Sequence, residues 1–147
     1  MITIRDFKIR GYHIDVFGHV NHAKYVRLME ESRWDYLDQN KDVNESMISQ
    51  GIGHCTVHIS IGYKNPAVMG DVLRVETGVC RKSRRSITFS QNMFVVGSGN
   101  QVAYAEVVNV FFRKKTREIL ETDSEVFSIW EDLLQAPFME NAPMGTP

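Results

Sequence analysis

Alternation of apolar and polar residues is the clearest pattern along the chain, and it predicts β-strands. Over residues 55–63 the odd-numbered positions are apolar and the positions between them are polar or small, as in a strand with one buried face. The pattern recurs over 73–79 and 87–95, where Gln91 interrupts the apolar face. Over 101–112 both sets of positions are largely apolar, which predicts the most central strand, covered on both sides.

Turn residues separate these strands. Lys64-Asn65-Pro66 and Met69-Gly70-Asp71 lie between the first two, and the segment 97–100 reads Gly-Ser-Gly-Asn between the last two. Loops this short cannot make the crossover that parallel strands need, so the pairing is predicted to be antiparallel. A further strand is predicted at about residues 2–10.

Two segments have helical patterns. Asn21 is a favourable N-cap, and residues 22–39 contain neither Gly nor Pro and place apolar residues along one stripe. Residues 122–125 have capping-box spacing and precede apolar residues at helical spacing up to Leu134. We therefore predict one domain over residues 1–135 and a frayed tail over 136–147.

These elements indicate an α+β fold. A helix of 18 residues is about 27 Å long at 1.5 Å per residue, and it needs a wide apolar surface to cover it. A curved antiparallel sheet wrapped around the helix supplies that surface.

Composition narrows the class of protein. The chain has 147 residues, 17 Lys+Arg against 18 Asp+Glu and a net charge of −1, without the basic excess that nucleic-acid binders usually carry. No apolar run approaches the roughly 18 residues that span a bilayer, and charges near the N-terminus argue against a signal peptide. We expect a cytoplasmic protein whose two separated cysteines, Cys55 and Cys80, are reduced and mostly buried.

The segment before the long helix carries the candidate chemistry. Residues 10–25 are dense in polar groups, and the N-terminus of a helix has free N–H groups and a partial positive charge that stabilise a developing oxyanion. Asp15 is close enough in sequence for a loop to bring its carboxylate there, as general base or as nucleophile toward an activated carbonyl. A turn or capping role for Asp15 and Asn21, and loop roles for His19 and His22, stay open on spacing alone.

The same segment resembles the signature of hotdog-fold thioesterases of the 4-hydroxybenzoyl-CoA thioesterase type. Matching positions are Asp15, Gly18, His19, Val20, Asn21 and Tyr25. The bacterial long-chain acyl-CoA thioesterases of that superfamily are more similar still, through Arg-Gly-Tyr-His-x-Asp-Val at 10–16, Glu-Glu-x-Arg-Trp-Asp at 30–35, and Tyr63, Pro66-Ala67-Val68 and Asp71. The strong likeness covers about residues 8–72.

The resemblance implies a helix wrapped by a curved sheet, with active sites at a dimer interface and a dimer of dimers expected. It implies that Asp15 hydrolyses an acyl-CoA thioester whose carbonyl is polarised by a backbone N–H near His22. Asn21 and His19 would shape the loop, and Tyr25 and Glu31 are candidate substrate contacts. Glu31 could instead pair with Arg27, four residues earlier on the helix.

A second cluster is the basic turn at residues 81–86, where Arg81, Lys82, Arg84, Arg85 and Ser86 are candidate contacts to the phosphates of coenzyme A. The alternative is a solvated turn that protects a sheet edge. The turn has no aromatic residue that could stack a base, which again argues against nucleic acid.

His54 and His58 are four residues apart, so they should share a strand face. No third ligand is evident, and we expect neither a metal nor a cofactor; a polar face between subunits is the expected use. The sequence thus predicts an acyl-CoA thioesterase for medium or long chains. A non-catalytic acyl-CoA-binding hotdog protein and a hotdog dehydratase or hydratase remain as alternatives.

Overall fold

A computed structural model describes residues 1–122 of the chain. The elements follow in the order β1 (Ile2–Lys8), a 3₁₀ turn (Gly11–His13), α1 (His22–Gln39), α2 (Lys41–Ser49), β2 (Ile52–Tyr63), β3 (Val72–Lys82), β4 (Ser86–Val95) and β5 (Gln101–Arg113). The predicted C-terminal helix and the boundary at residues 135 and 136 lie outside the described residues.

The five strands form one antiparallel sheet in the order β1-β3-β4-β5-β2. β4 is therefore the middle strand, and residues 87–93 are buried on both of its faces. The prediction that residues 101–112 form the most central strand is wrong, because β5 alternates between buried and half-buried residues. The polar residues of β4 conceal its position in the sequence, since hydrogen-bonded polar side chains are readily buried.

The helix α1 has the predicted bounds and packs its apolar stripe on one face of the sheet. The Asn21 side chain caps it by accepting the Ala23 N–H at 3.0 Å. At its middle the Tyr36 ring meets Phe89 of β4 edge-on, with ring centroids 5.5 Å apart. The buried residues of α1 are Tyr25, Leu28, Met29, Ser32, Arg33, Tyr36 and Leu37.

A buried polar network also joins α1 to the sheet. Gln91 is 0% exposed, and its Nε2 donates to the Met29 carbonyl and to Thr77 Oγ1, both at 2.8 Å. Its Oε1 accepts from the Arg33 guanidinium at 2.7 Å, and Thr77 also bonds Ser32 at 2.9 Å. The interruption that Gln91 makes in the apolar pattern is thus a hydrogen-bonded link between layers.

The strand β2 contains a β-bulge between Thr56 and His58. On β5, His54 pairs with Phe111 and His58 pairs with Val108, three residues away. An odd offset places the two histidines on opposite faces of the sheet. The prediction that they share a face is therefore wrong, and the single apolar face predicted over residues 55–63 also changes side at the bulge.

Two further features differ from expectation. The helix α2 was not predicted, although Val43 and Met47 are spaced four apart and buried on its inner side. Cys55 is exposed and Cys80 is half-buried, so the prediction of buried thiols is wrong; both are free cysteines. Neither helix within residues 1–122 combines the length and the apolar character that crossing a bilayer requires.

Candidate active site

Asp15 lies in a tight turn just before α1. Its backbone N–H donates to the His19 carbonyl at 2.9 Å, and the Gly18 N–H donates to the Asp15 carbonyl at 3.1 Å. Gly18 has φ of 80°, a left-handed conformation that glycine adopts without steric cost. Asp15 Oδ1 accepts the Phe17 N–H at 2.9 Å, whereas Oδ2 has no hydrogen-bond partner among residues 1–122. The turn thus holds the carboxylate by one oxygen and leaves the other available.

The segment between β2 and β3 anchors this turn. The Val20 N–H donates to the Ala67 carbonyl at 2.8 Å, and His19 and Val68 form an antiparallel bridge. On the other side, the Asn21 N–H donates to the His13 carbonyl at 2.9 Å. The backbone that carries Asp15 is therefore fixed relative to the start of α1.

Within residues 1–122, the start of α1 offers a free N–H group at His22. The Ala23 N–H is used by the Asn21 cap, and the Lys24 N–H donates to the Asn21 carbonyl at 2.8 Å. The His22 N–H has no acceptor among residues 1–122. It also lies at the positive end of the helix dipole, so it suits a carbonyl oxygen that gains negative charge.

Both groups belong to residues that line one open cleft of about 310 Å³. Asp15, His19, His22 and Tyr25 line it together with Tyr63 of β2. The Tyr63 hydroxyl donates to the His22 carbonyl at 3.1 Å, and the Tyr25 and Tyr63 ring centroids are 5.6 Å apart. The structure therefore brings together four of the residues that the sequence singled out, while Asn21 acts below them as the helix cap.

Tyr25 forms the inner wall of this cleft. It is buried, and its hydroxyl accepts the Ala67 N–H at 3.1 Å. Burial raises the pKa of Tyr25, so the phenol stays neutral. Its one free proton can still be donated to a ligand, while its position is set by the same segment that anchors the Asp15 turn.

The chemistry available in the cleft is that of a carboxylate beside a hydrogen-bond donor. Asp15 Oδ2 can accept a proton or attack a carbonyl carbon, and the His22 N–H can stabilise the resulting oxyanion. Within residues 1–122, no group of three or more potential ligand side chains could hold a metal ion.

The basic turn lies elsewhere in the chain. β3 begins at Val72, next to the segment that anchors the Asp15 turn, and ends at Lys82, about 33 Å away at 3.3 Å per residue. Among residues 1–122, three ion pairs join this turn to Glu106 or Glu121: Arg81–Glu106 at 3.1 Å, Arg84–Glu121 at 2.8 Å and Arg85–Glu121 at 3.3 Å. The Ser83 and Ser86 hydroxyl groups form a hydrogen bond across the turn, with 2.6 Å between their oxygens.

Glu31 lies outside the Asp15 cleft. It faces a second cleft on the other side of α1, where it is 3.5 Å from Arg5 and 4.0 Å from Arg27. Arg5 is held mainly by Asp35, at 2.7 Å. The pairing of Glu31 with Arg27 that the helical spacing allowed is present, and within one chain Glu31 does not join Asp15.

Sequence reasoning gave no role to Tyr63 or Ala67, although both fall in the matched motif. Tyr63 lines the cleft and binds the carbonyl of the first helical residue. Ala67 is fully buried and bonds both the Asp15 turn and Tyr25 through its backbone. Tyr63 and Pro66-Ala67-Val68 belong to the same matched motif as Asp15. That shared membership is the sequence signal that they contact the Asp15 turn.

Comparison with known proteins agrees with this geometry. The family model described as the thioesterase-like superfamily matches residues 9–137. The long-chain acyl-CoA thioesterase FadM of Escherichia coli (strain K12) is 34% identical over 128 residues, which cover 87% of this chain and 96% of that protein.

Solved structures agree as well. The probable thioesterase YbaW from Escherichia coli superposes with a TM-score of 0.83 at 33% identity, covering 90% of this chain and 98% of that one. Slr0204, a 1,4-dihydroxy-2-naphthoyl-CoA thioesterase from Synechocystis, shares the fold with a TM-score of 0.76 at 16% identity over 91% of this chain and 96% of that one. The hotdog fold and the family predicted from the sequence are confirmed. The chain belongs to the thioesterase-like superfamily.

Proposed function

We propose that this protein hydrolyses acyl-CoA thioesters, releasing a free acid and coenzyme A, with Asp15 as the reacting carboxylate. The observation that carries the proposal is the shared cleft: Asp15 Oδ2 and the His22 N–H are both without partners among residues 1–122 and belong to residues that line it. Membership of the thioesterase-like superfamily supports the same reaction.

The reaction follows from these two groups. The thioester carbonyl oxygen accepts the His22 N–H, which makes the carbonyl carbon more electrophilic. Asp15 then takes a proton from a water molecule that attacks this carbon, or attacks the carbon itself to form a mixed anhydride that water opens. The C–S bond breaks in both routes, and a thiolate whose thiol has a pKa of about 8.5 leaves without a dedicated general acid.

Isotope incorporation tests for the anhydride. After a single turnover in ¹⁸O-labelled water, mass spectrometry of the Asp15 peptide detects oxygen transfer into the carboxylate. Label in Asp15 demonstrates an anhydride that water opens at the aspartyl carbonyl. Label confined to the released acid shows that water attacks the acyl carbonyl, either in the thioester itself or in the anhydride.

The proposed substrates are medium- or long-chain fatty acyl-CoAs, and we propose a role in fatty-acid metabolism and a cytoplasmic location. The chain-length assignment rests on the Escherichia coli relative, whose name specifies long-chain acyl-CoA. For the phosphates of coenzyme A, the basic turn with Arg81, Lys82, Arg84, Arg85 and Ser86 stays a prediction, as does a substrate contact by Glu31.

We also propose that the protein is a homo-oligomer built on β2, as a dimer and then a dimer of dimers. Among residues 1–122, β2 is an edge strand of 12 residues that pairs with a neighbouring strand, β5, on one side only. Val57 and Ile59 on it are 55% and 39% exposed, and a long apolar edge of this kind favours pairing with another strand. Because Tyr63 at its end lines the Asp15 cleft, a second copy there would extend that cleft.

Thiol release from a panel of acyl-CoAs of increasing chain length tests the proposal. We expect the specificity constant to rise with chain length, and the same chains offered on an acyl-carrier protein show which donor is preferred. Tight binding without thiol release from any member would instead identify a non-catalytic acyl-CoA-binding protein. A matched inactive protein, Asp15→Asn, reports the uncatalysed rate.

A further inference from the structure

A second cleft, larger than the one at Asp15, opens on the opposite side of α1. It has a volume of about 530 Å³ and lies between the end of β1, the 3₁₀ turn and the first turns of α1. Clefts of a few hundred Å³ are the usual size for small-molecule sites. Asp15 and His22, which supply the reacting groups proposed above, do not line it.

The two carboxylates at this cleft are already paired with arginines. Asp6 accepts two hydrogen bonds from Arg74, both at 2.9 Å, and they hold the pKa of Asp6 below its usual range. Glu31 is shared between Arg5 and Arg27 at 3.5 and 4.0 Å. Their negative charge is therefore offset in part by these arginines, and Glu31 still acts on His13, raising its pKa against the larger lowering by burial.

The remaining cations at the cleft have no carboxylate within ion-pair distance among residues 1–122. They are Lys8, Arg10 and Lys24. Lys8 donates to the Gly70 carbonyl, which leaves its positive charge uncompensated. Arg10 is exposed and Lys24 is half-buried, so both can move their donors onto a ligand.

His13 adds a fixed neutral donor to the cleft. It is only 9% exposed, and its Nδ1 accepts the Arg10 backbone N–H at 2.9 Å. The proton of the neutral ring is therefore on Nε2, which has no acceptor among residues 1–122. Burial and the nearby charge of Lys24 lower the pKa of His13, which keeps the ring neutral.

An exposed aromatic ring completes the cleft. Tyr12 is 72% exposed, and its ring centroid is 4.2 Å from that of His13. A planar base can stack on such a face. Neither inorganic phosphate nor a simple carboxylate would use it.

We propose that this cleft binds the phosphate groups of a nucleotide, with Arg10, Lys24 and the His13 Nε2–H as phosphate donors and Tyr12 as the stacking face. Arginine and lysine beside a neutral donor match the several acceptor oxygens of a phosphate. The ligand is a free nucleotide or the nucleotide end of coenzyme A. If the ligand is the nucleotide end of coenzyme A, the proposal rests on the proposed function.

Calorimetric titration of the full-length protein with adenosine 3′,5′-bisphosphate, the probe, tests the site without any turnover. The variant Arg10→Ala/Lys24→Ala should bind at least about tenfold more weakly, since it loses two charge-assisted contacts. The matched control Lys41→Ala/Lys115→Ala removes two exposed lysines elsewhere and should bind like the parent. No binding by the parent, or equal binding by both variants, would overturn the proposal.

Two further experiments show whether the nucleotide belongs to coenzyme A and test binding at the cleft independently of the proposed hydrolysis. Competitive inhibition of thiol release by the bisphosphate, with a raised KM in Arg10→Ala/Lys24→Ala, assigns the cleft to coenzyme A. Binding without competition assigns it to a separate nucleotide. Asp15→Asn should bind the probe like the parent, so failure of the hydrolysis assignment leaves the binding result interpretable. Equal affinity for inorganic phosphate, unchanged in Tyr12→Ala, would overturn the nucleotide assignment.

Discussion

At the scale of single residues, Asp15 and Gln91 show how differently this fold treats polar side chains. Asp15 is half-exposed and bound through one oxygen only, so its other oxygen is available to a substrate. Gln91 is buried and makes three hydrogen bonds, which link Met29 and Arg33 of α1 to Thr77 of β3. The first residue is the proposed reacting carboxylate, and the second holds the helix on the sheet.

Replacing Gln91 should therefore cost substantial stability. Gln91→Met keeps the approximate volume but leaves the Arg33 guanidinium and the Met29 carbonyl without their partner, so we expect a loss of about 2–4 kcal/mol. Urea denaturation measures it. Gln101→Met, which removes a single half-buried bond to Asn92, should cost less than about 1 kcal/mol. Similar losses in both variants would contradict a special role for the Gln91 network.

At the scale of elements, α1 connects sequence to site most directly. His22, its first residue, supplies the free N–H, and the Asn21 cap fixes the start of the helix. Tyr25, three residues after His22, lines the same cleft. The start of α1 could be predicted because an N-cap precedes a run without Gly or Pro; that run continues to Gln50, so it does not by itself mark the end of α1 at Gln39. The Asp15 turn could be placed through the motif, because Gly18 must adopt a positive φ there.

The cap itself is open to test. Asn21→Ala removes the acceptor of the Ala23 N–H and should lower stability by about 1 kcal/mol. It should also lower kcat more than it raises KM, because without the cap the first turn of α1 no longer fixes the position of the His22 N–H. Asn21→Ser, which retains a capping oxygen, should recover most of both losses. Equal kcat in the alanine and serine variants would separate the cap from catalysis.

Other elements could not be predicted, for identifiable physical reasons. The bulge in β2 comes from its pairing with β5, and no local residue type signals it. The central position of β4 is hidden by polar residues whose partners are distant in sequence, such as Gln91 with Met29. The cleft between β1 and α1 could not be predicted because Arg10, His13 and Lys24 lie in the same polar segment as Asp15, and only the fold places them at a different cleft.

At the scale of the whole molecule, a net charge of −1 conceals two separate basic regions. The turn at residues 81–86 is largely neutralised by Glu106 and Glu121. The cleft beside α1 keeps cations without carboxylate partners among the described residues. Local pairing, and not the number of cations, is therefore the main difference between these two candidate phosphate sites.

Stability should depend on pH through two histidines. Burial, first of all, lowers the pKa of His13 and of His54, and the charges of Arg33 and Lys114 lower that of His54 further. As pH falls through about 6.5, the two histidines therefore take up protons in the unfolded chain before they do so in the folded protein. The free energy of unfolding decreases from that pH down to the pKa values of the folded state. Above that pH both histidines are neutral in the folded and in the unfolded chain, so their contribution to the free energy of unfolding is constant.

Urea midpoints at about pH 7.5 and 5.5 measure this slope. The parent should be less stable at the lower pH, and His54→Gln should show a shallower decline. A midpoint that rises on acidification would contradict the sign. A decline that His54→Gln leaves unchanged would assign it to other groups.

The assembly can be tested by charging one sheet edge at a time. Ile59→Lys on β2 should yield a monomer by sedimentation velocity and lose most thiol release, because the proposed second copy no longer extends the Asp15 cleft. Ile4→Lys places the same charge on the opposite edge strand, β1, where Ile4 is 54% exposed. It should assemble and react like the parent. A monomeric parent, or full activity in a monomeric Ile59→Lys, would exclude this interface.

The most direct test of the central assignment is kcat for Asp15→Asn on a long-chain acyl-CoA, beside Asp38→Asn, which changes an exposed carboxylate on α1 away from the cleft. Loss of a general base or nucleophile predicts a fall of at least about 10³-fold for Asp15→Asn, with an unchanged urea midpoint and unchanged acyl-CoA binding. Asp38→Asn should retain the parental rate. An Asp15→Asn protein that turns over within about tenfold of the parent would contradict the assignment of Asp15 as the reacting carboxylate.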